Sequence, residues 1–178
     1  MKILLATALL LFSAWAWAQD DLGAPSQAVR MEPVPVATVV QGKPTTVPLL
    51  FHLANGYHIN SNQPKSEFLI PTILRVDPPT DIVIGKTTYP DGQDMSFAFD
   101  PDEKLSVYTG DFKVDVLVRP LHSAQTGKYV IRGTLKYQAC DHAACYPPKQ
   151  LPVSFDVKIA KAPSAPIRNP AQSPNVHQ

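Results

Sequence analysis

The sequence predicts an all-β sandwich, and three observations predict it. Apolar and polar residues alternate with period two in separate stretches, most clearly at Val47, Leu49, Phe51 and Leu53 and again at Val153, Phe155, Val157 and Ile159. Turn-forming residues punctuate these stretches, and 19 prolines with 8 glycines leave little room for long helices. No stretch repeats its apolar residues at helical spacing. Together they call for a sandwich of roughly seven to nine strands.

The chain opens on an export signal over residues 1–18. Lys2 supplies the positive start, an apolar run follows from Ile3 to Phe12, and Ala16-Trp17-Ala18 makes a cleavage site before Gln19. That run is too short for a bilayer span, which takes about 20 residues. No later stretch reaches that length, so the mature chain is expected to be soluble, without a transmembrane segment. Gln19, not a cysteine, follows the cleavage point, so no lipid anchor is expected. Export points to the periplasm, an oxidising compartment where disulfides persist. The chain has 16 Lys+Arg and 15 Asp+Glu, and removing Lys2 leaves 15 of each. A neutral domain without a basic run excludes nucleic acid and an anionic membrane surface as partners.

Residues 19–35 read as an extended arm that adds an edge strand. Residues 36–160 form the folded domain. Val36, Thr38 and Val40 begin it, and Gly42-Lys43-Pro44 turns the chain. The strand of Val47 to Leu53 follows, and Pro48 places it at an edge or a bulge. Asn55-Gly56 is a turn, and residues 57–64 are short and polar. Residues 68–76 read as a strand interrupted by Pro71, and Ile82-Val83-Ile84 as a short apolar strand. Residues 93–104 lack a pattern and read as a loop, yet carry Met95, Phe97 and Phe99. Large apolar residues on a loop imply that it folds back over something. Val107 to Val118 reads as one alternating strand, ended by Arg119-Pro120. Tyr129, Ile131, Gly133, Leu135 and Tyr137 mark the next strand, which forms a hairpin with the strand of Val153 to Ile159. Residues 161–178 hold no core-forming pattern and read as a disordered Pro-rich tail.

The two cysteines, Cys140 and Cys145, lie in the connection of that last hairpin. A structural bridge is the ordinary role of such a pair in an exported protein. Closing so small a loop stabilises a fold by about 2 kcal/mol, against about 4.7 for a long one. The pair is also too close in sequence to join two sheets across a core. Thiol–disulfide exchange is the alternative, and it needs an accessible sulfur, a thiolate and a resolving partner. Between them lie Asp141, whose charge raises a neighbouring thiol pKa, and His142, which lowers it when protonated. Cys140, His142 and Cys145 also offer three metal ligands, one short of a structural zinc site, and His52, His58 and His122 are scattered without ligand spacing. No Ser/His/Asp set, phosphate loop or carboxylate pair is legible, and no cofactor is called for.

Tyr137-Gln138-Ala139-Cys140 followed by Cys145-Tyr146-Pro147-Pro148 resembles the N-terminal periplasmic domain of DsbD, the thiol:disulfide interchange protein. The segments Asn55 to Asn62 and Phe68 to Thr72 agree with it, so the resemblance covers residues 34–159. It implies an immunoglobulin-like β-sandwich, here as a standalone form. Cys140 and Cys145 would then be the redox pair of a protein-disulfide reductase-type carrier. The pair would take electrons from a membrane-embedded DsbD/CcdA-like thiol donor and pass them to periplasmic thioredoxin-like proteins. A cap loop carrying an aromatic ring shields the pair in that family. Residues 93–104 fall where the cap belongs, with Phe97 or Phe99 as the ring and Tyr57 and Tyr146 as aromatics near the pair. The spacing departs from the family's better-known form, which has one more residue between its cysteines. A non-catalytic protein-binding sandwich with a hairpin clamp is the competing reading, and the reduction potential of the pair separates the two.

Overall fold

The computed structural model describes residues 27–97 and 100–163; the export signal, Phe99 and most of the Pro-rich tail lie outside the described residues. Twelve strands and no helix are found among them. They are β1 (Val29–Met31), β2 (Ala37–Val40), β3 (Thr45–Leu53), β4 (His58–Asn60), β5 (Ile73–Asp77) and β6 (Ile82–Thr88) in the first half. The second half holds β7 (Gln93–Phe97), β8 (Asp100–Thr109), β9 (Asp111–Pro120), β10 (Gly127–Tyr137), β11 (Ala139–Cys140) and β12 (Lys149–Ala160).

Period-two burial explains the main layers. In β3 the odd residues Val47, Leu49, Phe51 and Leu53 are fully buried, and in β9 Phe112, Val114, Val116 and Val118 are buried opposite them. These strands form a sheet in the order β1-β3-β9-β6. The facing sheet runs β2-β12-β10-β5 and contributes Ile131, Leu135, Leu151, Val153, Phe155, Val157 and Ile159 to the same core. The result is the all-β sandwich expected from the alternation, of the immunoglobulin-like kind that the resemblance implies. β10 and β12 pair without a slip from Gly127 opposite Ile159 to Tyr137 opposite Lys149, as the alternation predicts. β1 covers only residues 51–53 of β3, so Pro48 sits where that flank of the strand has no neighbour.

A third sheet, β11-β4-β8-β7, sits at one end of the sandwich. It is built from strand extensions: β8 runs into β9 through Gly110, and β10 runs into β11 after Gln138. Its inner face joins the core through Ile59, Tyr108 and Ala139. Phe112 stacks on Tyr108 at 5.0 Å and on Phe51 at 5.2 Å, which ties this end sheet to the sandwich.

Four sequence expectations differ from the structure. Residues 107–118 are two strands in different sheets, because Gly110, at φ 59°, turns the corner between them. The alternation hides this corner, since Tyr108 and Phe112 are in phase and both reach the core. Residues 93–97 and 100–104 are not irregular but belong to the β7–β8 pairing. β7 is exposed over Gln93 to Ser96, so it has no buried face to write a pattern. The strand expected over residues 68–76 begins only at Ile73, and Phe68 is 88% exposed. Short strands such as β4 and β11 lift the count above that expected, because two or three residues are too few to show a period.

Gly133 sits where β10 is squeezed between β5 and β12. A Cβ there would collide with the Arg75 carbonyl oxygen and crowd Val76 Cα and Val153 Cγ2 at 3.1 Å. Backbone cannot rotate away as a side chain can. Gly133→Ala is therefore expected to cost about 1–3 kcal/mol in denaturant unfolding. An unchanged unfolding midpoint would contradict this packing.

Candidate functional site

The cysteine segment folds as a miniature hairpin at the rim of the end sheet. Tyr146 N donates to Ala139 O at 2.9 Å and Asp141 N to Ala144 O at 2.9 Å. These bonds flank Cys140 and Cys145, which makes them a non-hydrogen-bonded antiparallel pair, the geometry in which Cα atoms approach most closely. The two are joined as a disulfide, with Cα atoms 3.9 Å apart. Their environments differ. Cys140 lies in β11 and is 0% exposed, whereas Cys145 is exposed.

Asp141 organises the turn between them. Its Oδ1 accepts from Ala143 N at 2.7 Å and from Ala144 N at 2.8 Å, and its Oδ2 accepts from Tyr146 OH at 2.6 Å. This is an Asx-type turn closed by a phenol. The Tyr146 hydrogen bond, then the two backbone donors, hold the Asp141 carboxyl down at about 2. The same bond pushes the Tyr146 phenol up to about 12. The Tyr146 ring meets Tyr57 at 6.1 Å. Gln138 Nε2 donates to Tyr146 O at 3.1 Å and so fixes the outgoing chain.

β4 supplies the wall beside the disulfide. His58 is opposite Cys140 in register on one side and opposite Thr109 on the other. Directly opposed residues point to the same face of a sheet with Cβ atoms about 4.5–5.5 Å apart. Phe97, at the end of β7, lies flat on the His58 ring, with centroids 3.8 Å apart and planes 13° apart. A cleft of about 350 Å³ opens beside them, lined by Tyr57, His58, Met95, Phe97 and His142 among others. Burial drives the His58 pKa down to about 4, with the Asp141 charge opposing it. His58 Nε2 is buried with no hydrogen-bond partner.

The fold thus gathers the sequence candidates Cys140, Cys145, Tyr57, Tyr146 and Phe97 at one place. In the sequence His58 stands as one of several scattered histidines and Asp141 only as a charge, so neither is marked there as part of the site. The clue to His58 was its place after the Asn55-Gly56 turn, too short a strand to show alternation. His142 lines the cleft but does not join a ligand set, and no three metal-ligating side chains converge among the described residues.

The site's titrations set an expected pH response. Because the folded value for His58 lies below 6.5, the unfolded chain takes up the proton first as pH falls. Its contribution is complete above 6.5 and is lost as pH drops toward 4. The melting temperature should therefore decline between about pH 6.5 and 5, where few carboxylates yet titrate. His58→Phe, which keeps a ring under Phe97, should flatten that decline. An equally steep decline in the variant would remove His58 as its source.

No curated protein matches the chain. Among solved structures, the reduced N-terminal domain of DsbD from Neisseria meningitidis is 20% identical with a TM-score of 0.47, covering 78% of this chain and 95% of that one. The complex between the DsbD and PilB N-terminal domains of the same organism is 22% identical with a TM-score of 0.42, covering 77% of this chain and 88% of that one. Residues 21–156 match the family described as the N-terminal part of the thiol:disulfide interchange protein DsbD. That match spans both sheets of the sandwich and both cysteines, and the chain belongs to this family.

Proposed function

We propose that this protein is a periplasmic dithiol/disulfide carrier that works through Cys140 and Cys145. It accepts reducing equivalents from a membrane-embedded DsbD/CcdA-like thiol donor and passes them to thioredoxin-like proteins. The observation that carries this reading is the asymmetry of the pair. One sulfur is held in an exposed turn, and the other is buried behind it in a strand. Exchange by way of a mixed disulfide needs that division: an accessible sulfur to bond the partner and a protected one to resolve it. Family membership supports the same reading.

In this mechanism the Cys145 thiolate attacks a partner disulfide, forming the Cys145–partner bond and expelling a partner thiolate. Cys140 then attacks Cys145 Sγ, re-forms the internal disulfide and releases the second partner sulfur. Two electrons pass from this chain to the partner, and the reverse sequence reloads it. Phe97 shields the pair from small oxidants, and Tyr57 and Tyr146 form the aromatic rim that a partner meets. The test is to mix the reduced protein with an oxidised thioredoxin-like protein and count the alkylatable thiols left on this chain. Loss of both thiols is expected, and a pair that stays reduced at equilibrium overturns the reading.

A further inference from the structure

The site holds a group that the exchange mechanism has not used. His58 stands opposite Cys140, roofed by Phe97, with its Nε2 buried and unpartnered. Buried polar atoms are nearly always satisfied, so one left alone calls for a partner in some state of the site. In the disulfide state the neighbouring sulfur carries no hydrogen to offer. Reduction creates one: a Cys140 thiol, on the same sheet face and directly across the strand pair. We propose that His58 is a catalytic residue, whose Nε2 accepts the Cys140 thiol hydrogen in the reduced protein and takes that proton as Cys140 resolves the mixed disulfide.

The assignment rests on the exchange reading, in which Cys140 is the resolving sulfur. The Cys140 S–H bond breaks and its proton goes to Nε2. The sulfur's electron pair forms the Cys140–Cys145 bond, the Cys145–partner bond breaks, and the partner leaves as a thiolate. The imidazolium then returns its proton to that thiolate or to solvent. A buried thiolate formed without such an acceptor would have no counter-charge. Among the described residues around the imidazole, Asp141 is the charged group facing it from the cysteine turn. His142 and Tyr57 line the adjoining cleft, and β8 and β7 present the non-titrating Thr109 and Phe97. The Asp141 carboxylate would stabilise the transient imidazolium. Burial meanwhile keeps His58 neutral at any pH above about 4, and in the Nδ1–H tautomer Nε2 is the acceptor.

The test follows the reduced full-length protein as it reacts with dithiodipyridine, which releases one coloured thiopyridone when Cys145 is captured and a second when Cys140 resolves. In the wild type, the second release should be nearly independent of pH from about 5 to 7, because the base is already neutral. In His58→Phe it should be slower by about tenfold or more at neutral pH and rise about tenfold per pH unit, tracking the thiolate fraction. Loss of the thiol's acceptor should also move the equilibrium with a reference dithiol about tenfold toward the disulfide, near 30 mV. His58→Gln, which keeps an acceptor but no base, should restore the equilibrium and leave the rate slow. A wild-type second release that itself climbs tenfold per pH unit overturns the proposal, whatever the variants do. So does a wild-type rate and profile in His58→Phe. The probe reports resolution at this pair without a protein partner. Normal His58 dependence with no transfer to a thioredoxin-like protein would therefore sink the carrier reading alone.

Discussion

Cys140→Ala should turn the protein into a trap, and Cys145→Ala should not. With Cys145 exposed and no resolving sulfur behind it, the Cys140→Ala variant is expected to accumulate a mixed disulfide with a thioredoxin-like partner that persists on non-reducing gels. With only Cys140, at 0% exposure in β11, capture should be slower by about tenfold or more. Both variants should lose turnover altogether. The contrast is informative because the sequence leaves the order of attack open, and only burial distinguishes the two sulfurs. Equal capture by both variants would mean that the turn opens as a unit before exchange. Faster capture by Cys140 would reverse the assigned roles.

Phe51→Ala is expected to give the largest loss of stability. Phe51 is fully buried in β3 and stacks on Phe112, which in turn stacks on Tyr108 of the end sheet. Truncating a buried phenylalanine typically costs about 3–5 kcal/mol. That is a large share of the roughly 5–15 kcal/mol that holds a domain together. The melting temperature should fall by roughly 10–20 °C. The variant should keep its disulfide below that temperature, because the cysteine turn is held by its own backbone bonds and Asp141. A fall of only a few degrees would mean that the aromatic stack is not the joint between sandwich and end sheet.

The legible part of this chain was the part with a buried face. β3, β9 and β12 bury every second residue against the opposite sheet, and β10 does so at Ile131, Leu135 and Tyr137, so their alternation reads directly as strands. The end sheet was harder, although it carries the site. β7 is exposed, β4 is buried on every residue, and β11 has only two residues, so none of them writes a period. The cysteine pair and the apolar Phe97 are visible in the sequence itself, whereas Tyr57 and Tyr146 come to the site only through the family resemblance. The unpartnered His58 Nε2 could not be found that way. Its significance lies in a register between β4 and β11, strands about 80 residues apart in sequence, and no local pattern encodes that. Asp141 could be read as a charge, but its two backbone bonds and its bond to Tyr146 appear only once the turn is folded.

The central claim, that Cys140 and Cys145 exchange with partners rather than clamp a hairpin, is tested most directly by the reduction potential of the pair. Equilibration against glutathione or a reference dithiol gives it in one experiment. A carrier must lie where thioredoxin-like proteins lie, between about −120 and −270 mV, so that electrons can enter and leave. A value below about −300 mV would place the pair among structural disulfides and contradict the account.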